Sequence, residues 1–158
     1  PDALNIITEA RRQGMKQPFF GTAPLIEGNM PEKGGNAVVG TIAGSIWSSQ
    51  LKDARSVSFI KSYKKLAKTL HPGKFTAKPD YYPVNSYDAV YMIVDAIKSK
   101  GIKPGTSDLA KKRIAVKDHF AAMSSFNGIA SDGFNKVGDG KKNVHVFEIK
   151  DQAWKLIE

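Results

Sequence analysis

YYPVNSYDAVYMIVDAIKSKG, residues 81–101, is the stretch whose reading decides the fold. It predicts a helix entered from an extended segment, because Pro79 and Pro83 precede its apolar run and Gly101 closes it. Between Tyr87 and Ile97 the charged residues are Asp88 and Asp95. A helix that is apolar nearly all round must be covered on several sides. The chain is therefore expected to form a layered fold with this helix well inside it.

Upstream, SVSFIKSYKKLAKTL (56–70) has helical spacing, with Ser56 as the expected N-cap. Lys61, Lys64, Lys65 and Lys68 oppose a stripe of Val57, Ile60, Tyr63, Leu66 and Ala67, the pattern of an amphipathic surface helix. At the start, Ala3, Leu4, Ile6, Ile7 and Ala10 predict a helix with Asp2 at its N-terminus, closed by Gly14. A short apolar strand over 17–21 follows. Helix, glycine and strand make the second half of a βαβ unit, and the first strand of that unit is not in this sequence. The chain is thus expected to be a C-terminal fragment. Residues 22–35 read as loop with at most a weak short helix, and 37–43 as a strand. The segment 75–83 reads as extended, and a helix is expected from Thr106 or Ser107 to about Met123. Two strands, 144–149 and 153–157, close the chain around a turn near Asp151.

The 158 residues suffice for one domain or two small lobes. No apolar run approaches the roughly 18 residues of a membrane span. The absence of cysteine excludes disulfides, thiolate zinc sites and cysteine nucleophiles. A net charge of +9 points to acidic partners, whether nucleic acid, anionic lipid or an anionic ligand. The lysines of 56–70 nevertheless read as a solvated face, and no zinc-finger, zipper or aromatic RNA-binding pattern accompanies them.

Motifs for catalysis and cofactors are lacking. The glycines between Gly21 and Gly44 have neither the GxGxxG nor the GxxxxGK[ST] spacing that aims backbone N–H groups at phosphate. Gly128 to Gly133 resembles a nucleophile elbow around Ser131 with one residue too many. His71, His119 and His145 are scattered without metal-ligand spacing, and the Asp-Gly pairs at 132 and 139 read as turns. No metal, cofactor or enzymatic activity is expected. Trp154 reads as packing. Trp47 follows a strand end, where open α/β sheets bind ligands, and is a candidate ligand contact.

The order of segments adds to this. ALNIITEARRQGMKQPFFGT (3–22), GGNAVVGTIAG (34–44), the run from Ser58 to Gly101, FNGIASDGF (126–134) and VHVFEIKDQAWKLI (144–157) together resemble type I periplasmic solute-binding proteins. The branched-chain amino acid ABC-transporter receptors are the class they look most like. The resemblance runs the length of the chain and rests on the ordered set rather than on one motif. It implies an α/β protein of two Rossmann-like lobes, each a sheet flanked by helices, of which only the C-terminal portion is present. Residues 1–81 would belong to the second lobe, 82–143 to the first, and 144–158 would return to the second.

The resemblance further implies an extracytoplasmic receptor, periplasmic or membrane-anchored, that holds a small organic solute between its lobes for an ABC permease. In amino-acid-binding members an acidic residue shortly after the strand pairs the ligand's ammonium. Here Gly21-Thr22-Ala23 stands at that place, with Ala23 where the acid would be. A buried ammonium without a counter-charge costs several kcal/mol, so an anionic or aromatic acid becomes the better candidate. Thr22 and Ala23 line the pocket by this analogy. A ligand-sensing domain of a signalling receptor shares the fold, and a basic nucleic-acid-binding module is the alternative of another class. A fragment of such a protein is also expected to self-associate, or to take up a companion polypeptide, through surfaces meant for absent strands.

Overall fold

The computed structural model describes residues 2–73 and 78–157. By internal contacts the chain divides into two compact units, Pro1–Gln50 with Val144–Glu158, and Leu51–Asn143.

The first unit is a mixed sheet with helices. It contains α1 (Asp2–Arg12), β1 (Phe20–Thr22), α2 (Ala23–Ile26), α3 (Met30–Gly34) and β2 (Ile42–Ser45), then β3 (His145–Lys150) and β4 (Ala153–Leu156). The strand order is β1-β2-β3-β4, with β1 and β2 parallel and the remaining pairs antiparallel. The core gathers Ile7 of α1, Met30, Val38, Ala43, Phe147, Ile149 and Trp154. Arg11 ties the end of α1 to the approach of β1. Its guanidinium donates to the carbonyls of Met15 and Gln17, both at 2.8 Å, and stacks 4.7 Å from the centre of the Phe19 ring.

The structure differs from expectation where glycine and proline crowd. Residues 22–35 carry two short helices, because Pro24 and Pro31 lie in the first turns, where a missing N–H costs nothing. The expected strand at 37–43 begins only at Ile42. A 3-10 turn over Gly35–Val38 buries Val38 instead, while Val39 is exposed and only Ile42 and Ala43 of the apolar run join the ladder. The turn near Asp151 places both Asp151 (φ 50°) and Gln152 (φ 55°) in the left-handed region, as a two-residue hairpin with right-twisted strands requires.

The second unit holds α4 (Ala54–Leu70), α5 (Tyr81–Ser99) and α6 (Leu109–Ala122). Among the described residues it has no strand, only an isolated bridge between Phe134 and Gly140. No helix of the described residues is long and apolar enough to cross a membrane. The N-cap of α4 is Asp53 rather than Ser56, with the Asp53 carboxylate accepting from the Ser56 amide at 3.0 Å. Asp80 caps α5 in the same way through the Tyr82 amide at 2.9 Å, so the helix starts at Tyr81 and takes Pro83 into its first turn. Of the expected extended segment 75–83, residues 75–77 lie outside the described residues. In α6 the cap is Asp108, in left-handed conformation (φ 54°), rather than Thr106 or Ser107.

The Asp53 cap yields a pH prediction. Burial by itself would raise the Asp53 carboxyl; its bonds to Ser56 and the nearby Arg55 outweigh that and hold it below the ordinary value of 3.8. A lowered folded-state value stabilises above the unfolded value and is lost as pH falls through the folded one. Asp53→Ala should therefore cost about 1 kcal/mol at neutral pH, and the difference from wild type should shrink below about pH 4, as followed by urea unfolding.

Candidate functional site

Thr22 and Ala23 sit where a strand gives way to a helix. Thr22 ends β1 and Ala23 opens α2. The register pairs Thr22 with Gly44 near the end of β2, so both residues stand at the C-terminal end of the parallel pair. That edge is where open α/β sheets bind ligands. Thr22 is exposed and Ala23 half-buried. Trp47 follows β2 at the same end of the pair and is wholly buried. Ser45 fixes its backbone, with Oγ donating to the Trp47 carbonyl at 2.8 Å and accepting from its amide at 3.4 Å. Thr22 and Ala23 are thus accessible, whereas the Trp47 side chain is covered.

A second feature lies wholly within the unit Leu51–Asn143. A cleft of about 620 Å³ runs between α4, α5 and the loop 126–129. Phe59 and Tyr87 meet edge-on in it, with ring centres 5.4 Å apart, and Tyr87 packs on Tyr91 at 4.5 Å.

Asp88 and Arg55 organise one end of this cleft. Asp88 is 3% exposed, in the middle of an apolar helix. Its Oδ2 accepts from the amides of Ala130 at 2.9 Å, Ser131 at 3.0 Å and Ile129 at 3.1 Å, while Oδ1 also accepts from Ile129 at 2.9 Å. Successive amides turned toward one carboxylate form an anion nest, and the anion here is a side chain. Arg55 of α4 reaches the same loop, donating to Asn127 Oδ1 at 2.6 Å and to the Gly128 carbonyl. Gly128 is required by space, since a Cβ there would lie 2.6 Å from the Ser131 carbonyl oxygen and 2.7 Å from Asp88 Oδ2.

The elbow-like segment around Ser131 is therefore a clasped loop. Ser131 is buried and lends its amide to Asp88. His119 on α6 pairs with Asp95 on α5 at 2.8 Å. The reading from sequence noticed Asp88 only as a break in an apolar run. The signal was there: a lone acid on the inner face of such a helix needs donors, and the nearest glycine-rich loop after the next helix supplies them.

Replacing the Asp88 carboxylate strands these amides. Asp88→Ala should destabilise the chain by about 3 kcal/mol or more, with Asp88→Asn costing less because its amide oxygen still accepts. Thermal and urea unfolding check this, and a loss within about 0.5 kcal/mol would contradict the clasp.

Neither a protein-family model nor a curated protein matches the chain. Solved structures do. A leucine binding protein from Thermotoga maritima aligns with 100% of this chain and 41% of its own, at 22% identity and a TM-score of 0.74. An ABC transporter substrate-binding protein from Desulfitobacterium hafniense, in complex with Leu, aligns with 98% of this chain and 40% of its own, at 18% identity and a TM-score of 0.67. A solute binding protein of an ABC transporter from R. palustris, in complex with benzoate, aligns with 98% of this chain and 39% of its own, at 20% identity and a TM-score of 0.65. The chain spans about two fifths of the length of these proteins. The resemblance read from the order of segments is matched in three dimensions, and the chain has the fold of part of a type I periplasmic solute-binding protein.

Proposed function

We propose that the chain is part of an extracytoplasmic receptor of an ABC importer, acting by binding and not by catalysis. It would capture a small organic solute between two lobes and deliver it to a membrane permease. The observation that carries this reading is the alignment of nearly the whole chain, 98% or more, with solute receptors. The periplasmic or membrane-anchored location follows from the same reading. A ligand-sensing domain of a signalling receptor is the second reading, separated from the first by what the complete polypeptide is fused to.

The two compact units are proposed as the parts of the two lobes that this chain contributes. On this reading residues 1–50 and 144–158 belong to the second lobe. Residues 51–143 belong to the first. The sequence expectation set the first crossing near residue 81. The packing of Phe59 on Tyr87, and the bonds from Arg55 to the 127–128 loop, favour an earlier one.

Thr22 and Ala23 are proposed to line the solute site, with Trp47 as its buried support. Ala23 brings no charge for an ammonium, and the chain's net charge of +9 suits an anion. A carboxylic acid without an α-ammonium is the proposed solute class, and the benzoate complex of one structural neighbour supports a fold able to hold one. A thermal-shift panel on the complete protein tests this. Aromatic and other organic acids should raise the melting temperature; a ligand at a hundred times its Kd adds about 2.7 kcal/mol. Ala23→Asp should weaken such an acid at least tenfold, about 1.4 kcal/mol. A shift with leucine and none with organic acids would overturn the solute class. No shift with any solute, together with tight DNA binding that weakens steeply with salt, would replace the receptor by a basic nucleic-acid-binding module.

A further inference from the structure

The net charge of the chain is carried by one of its two units. Residues 51–143 hold 18 lysines and arginines against eight aspartates and no glutamate, a net +10. The rest of the chain holds six against seven acids, a net −1. Several of the eight aspartates are already engaged. Asp88 is buried among amides, Asp53 and Asp80 cap helices, and Asp95 pairs with His119. The helix α4 contains no acid between Ala54 and Leu70. Its Lys61, Lys64, Lys65 and Lys68 are exposed and form no ion pair among the described residues. They fall within an arc of about 100°, on the side away from the buried Ser56, Phe59 and Ala67. Like charges three and four residues apart weaken a helix, so the row is a cost to α4 when it faces water alone. The cations of α6 are different, with Lys111 beside Asp108 and Lys117 beside Asp118.

We propose that this lysine row of α4 is a docking surface for an anionic lipid bilayer. The inference rests on the receptor reading above, which brings the protein to the membrane of its permease, and deepens it. The row is about 10 Å long and presents four point charges on flexible stems. Such charges suit a plane of mobile phosphate headgroups, where attraction needs neither a pocket nor fixed geometry. Val57, 50% exposed and in the same arc, adds a small apolar contact at the headgroup boundary. The choice of cation favours lipid over nucleic acid. Nucleic-acid recognition draws on the rigid fork of arginine, and residues 51–143 contain 16 lysines but two arginines. One of the two, Arg55, is held by Asn127 and the Gly128 carbonyl.

Vesicle flotation of the complete protein tests this. Partition onto phosphatidylcholine vesicles carrying about 30% phosphatidylglycerol should exceed that onto pure phosphatidylcholine at least tenfold at about 50 mM salt, and the preference should vanish near about 0.5 M. Lys61→Gln, Lys64→Gln and Lys68→Gln together should lower partition onto the anionic vesicles by about tenfold or more. Their melting temperature should be no lower than that of the wild type, since a repulsion has been removed. Lys111→Gln, Arg113→Gln and Lys117→Gln on α6 remove as many cations and should change partition by less than about threefold. Equal partition onto the two kinds of vesicle, or an equal or greater loss from the α6 variant, would overturn the proposal. Preference for duplex DNA over the anionic vesicles, lost in the α4 variant, would assign the row to nucleic acid instead. Solute binding is measured separately on the unsubstituted protein by its melting shift. Vesicle preference without solute binding would reject the receptor reading and keep the docking surface, while solute binding without vesicle preference would reject the docking surface alone.

Discussion

The carboxylate of Asp88, closed in by the amides of Ile129, Ala130 and Ser131, is the interaction on which the second compact unit depends. Burying a carboxylate is costly unless its oxygens are met by donors, and charge-assisted bonds to backbone amides are among the stronger compensations. The pairing also works in reverse. A loop cannot bury successive amides without an acceptor, and this one closes across more than forty residues to reach α5. Gly128 keeps the turn small enough, and Arg55 holds the outer carbonyl. One acid thereby fixes the loop after α6 to the helix before it, and α4 to both.

That clasp determines which side of α5 is buried. The residues in line with Asp88 face inward, and the helix cannot rotate without breaking the nest. Its other apolar sides are then left to a cleft and to an exposed stripe. The apolar character of residues 81–99 was read as burial on several sides. In this chain the burial is one-sided.

Local features were legible from the sequence where local chemistry decides them. The apolar helix, the first helix with its acidic start, and the terminal pair of strands all appear close to where they were expected. The two short helices opened by Pro24 and Pro31 were not legible, because the same residues serve as breakers and as helix starters. The cap at Asp53 was misplaced by three residues, since serine and aspartate are both good caps and only geometry chooses between them. Asp88 could be seen but not its partners, which lie beyond an intervening helix. The overall fold was legible through the order of segments, although identities to the solved neighbours do not exceed 22% among those compared. Trp47 was indicated by its place after a strand end, and Thr22 and Ala23 only through the family resemblance; burial then separated the accessible pair from the covered tryptophan.

The central claim is that one buried carboxylate makes residues 51–143 a single unit and sets the orientation of α5. Residue-resolved amide hydrogen exchange on the wild-type chain and on Asp88→Ala tests it most directly. The account predicts that the amides of Ile129, Ala130 and Ser131 exchange slowly in the wild type, at rates close to those of the α5 interior. They should lose that protection in the variant, while the amides of the β2–β3 ladder keep theirs. Fast exchange of the three amides in the wild type, or protection unchanged in Asp88→Ala, would contradict it.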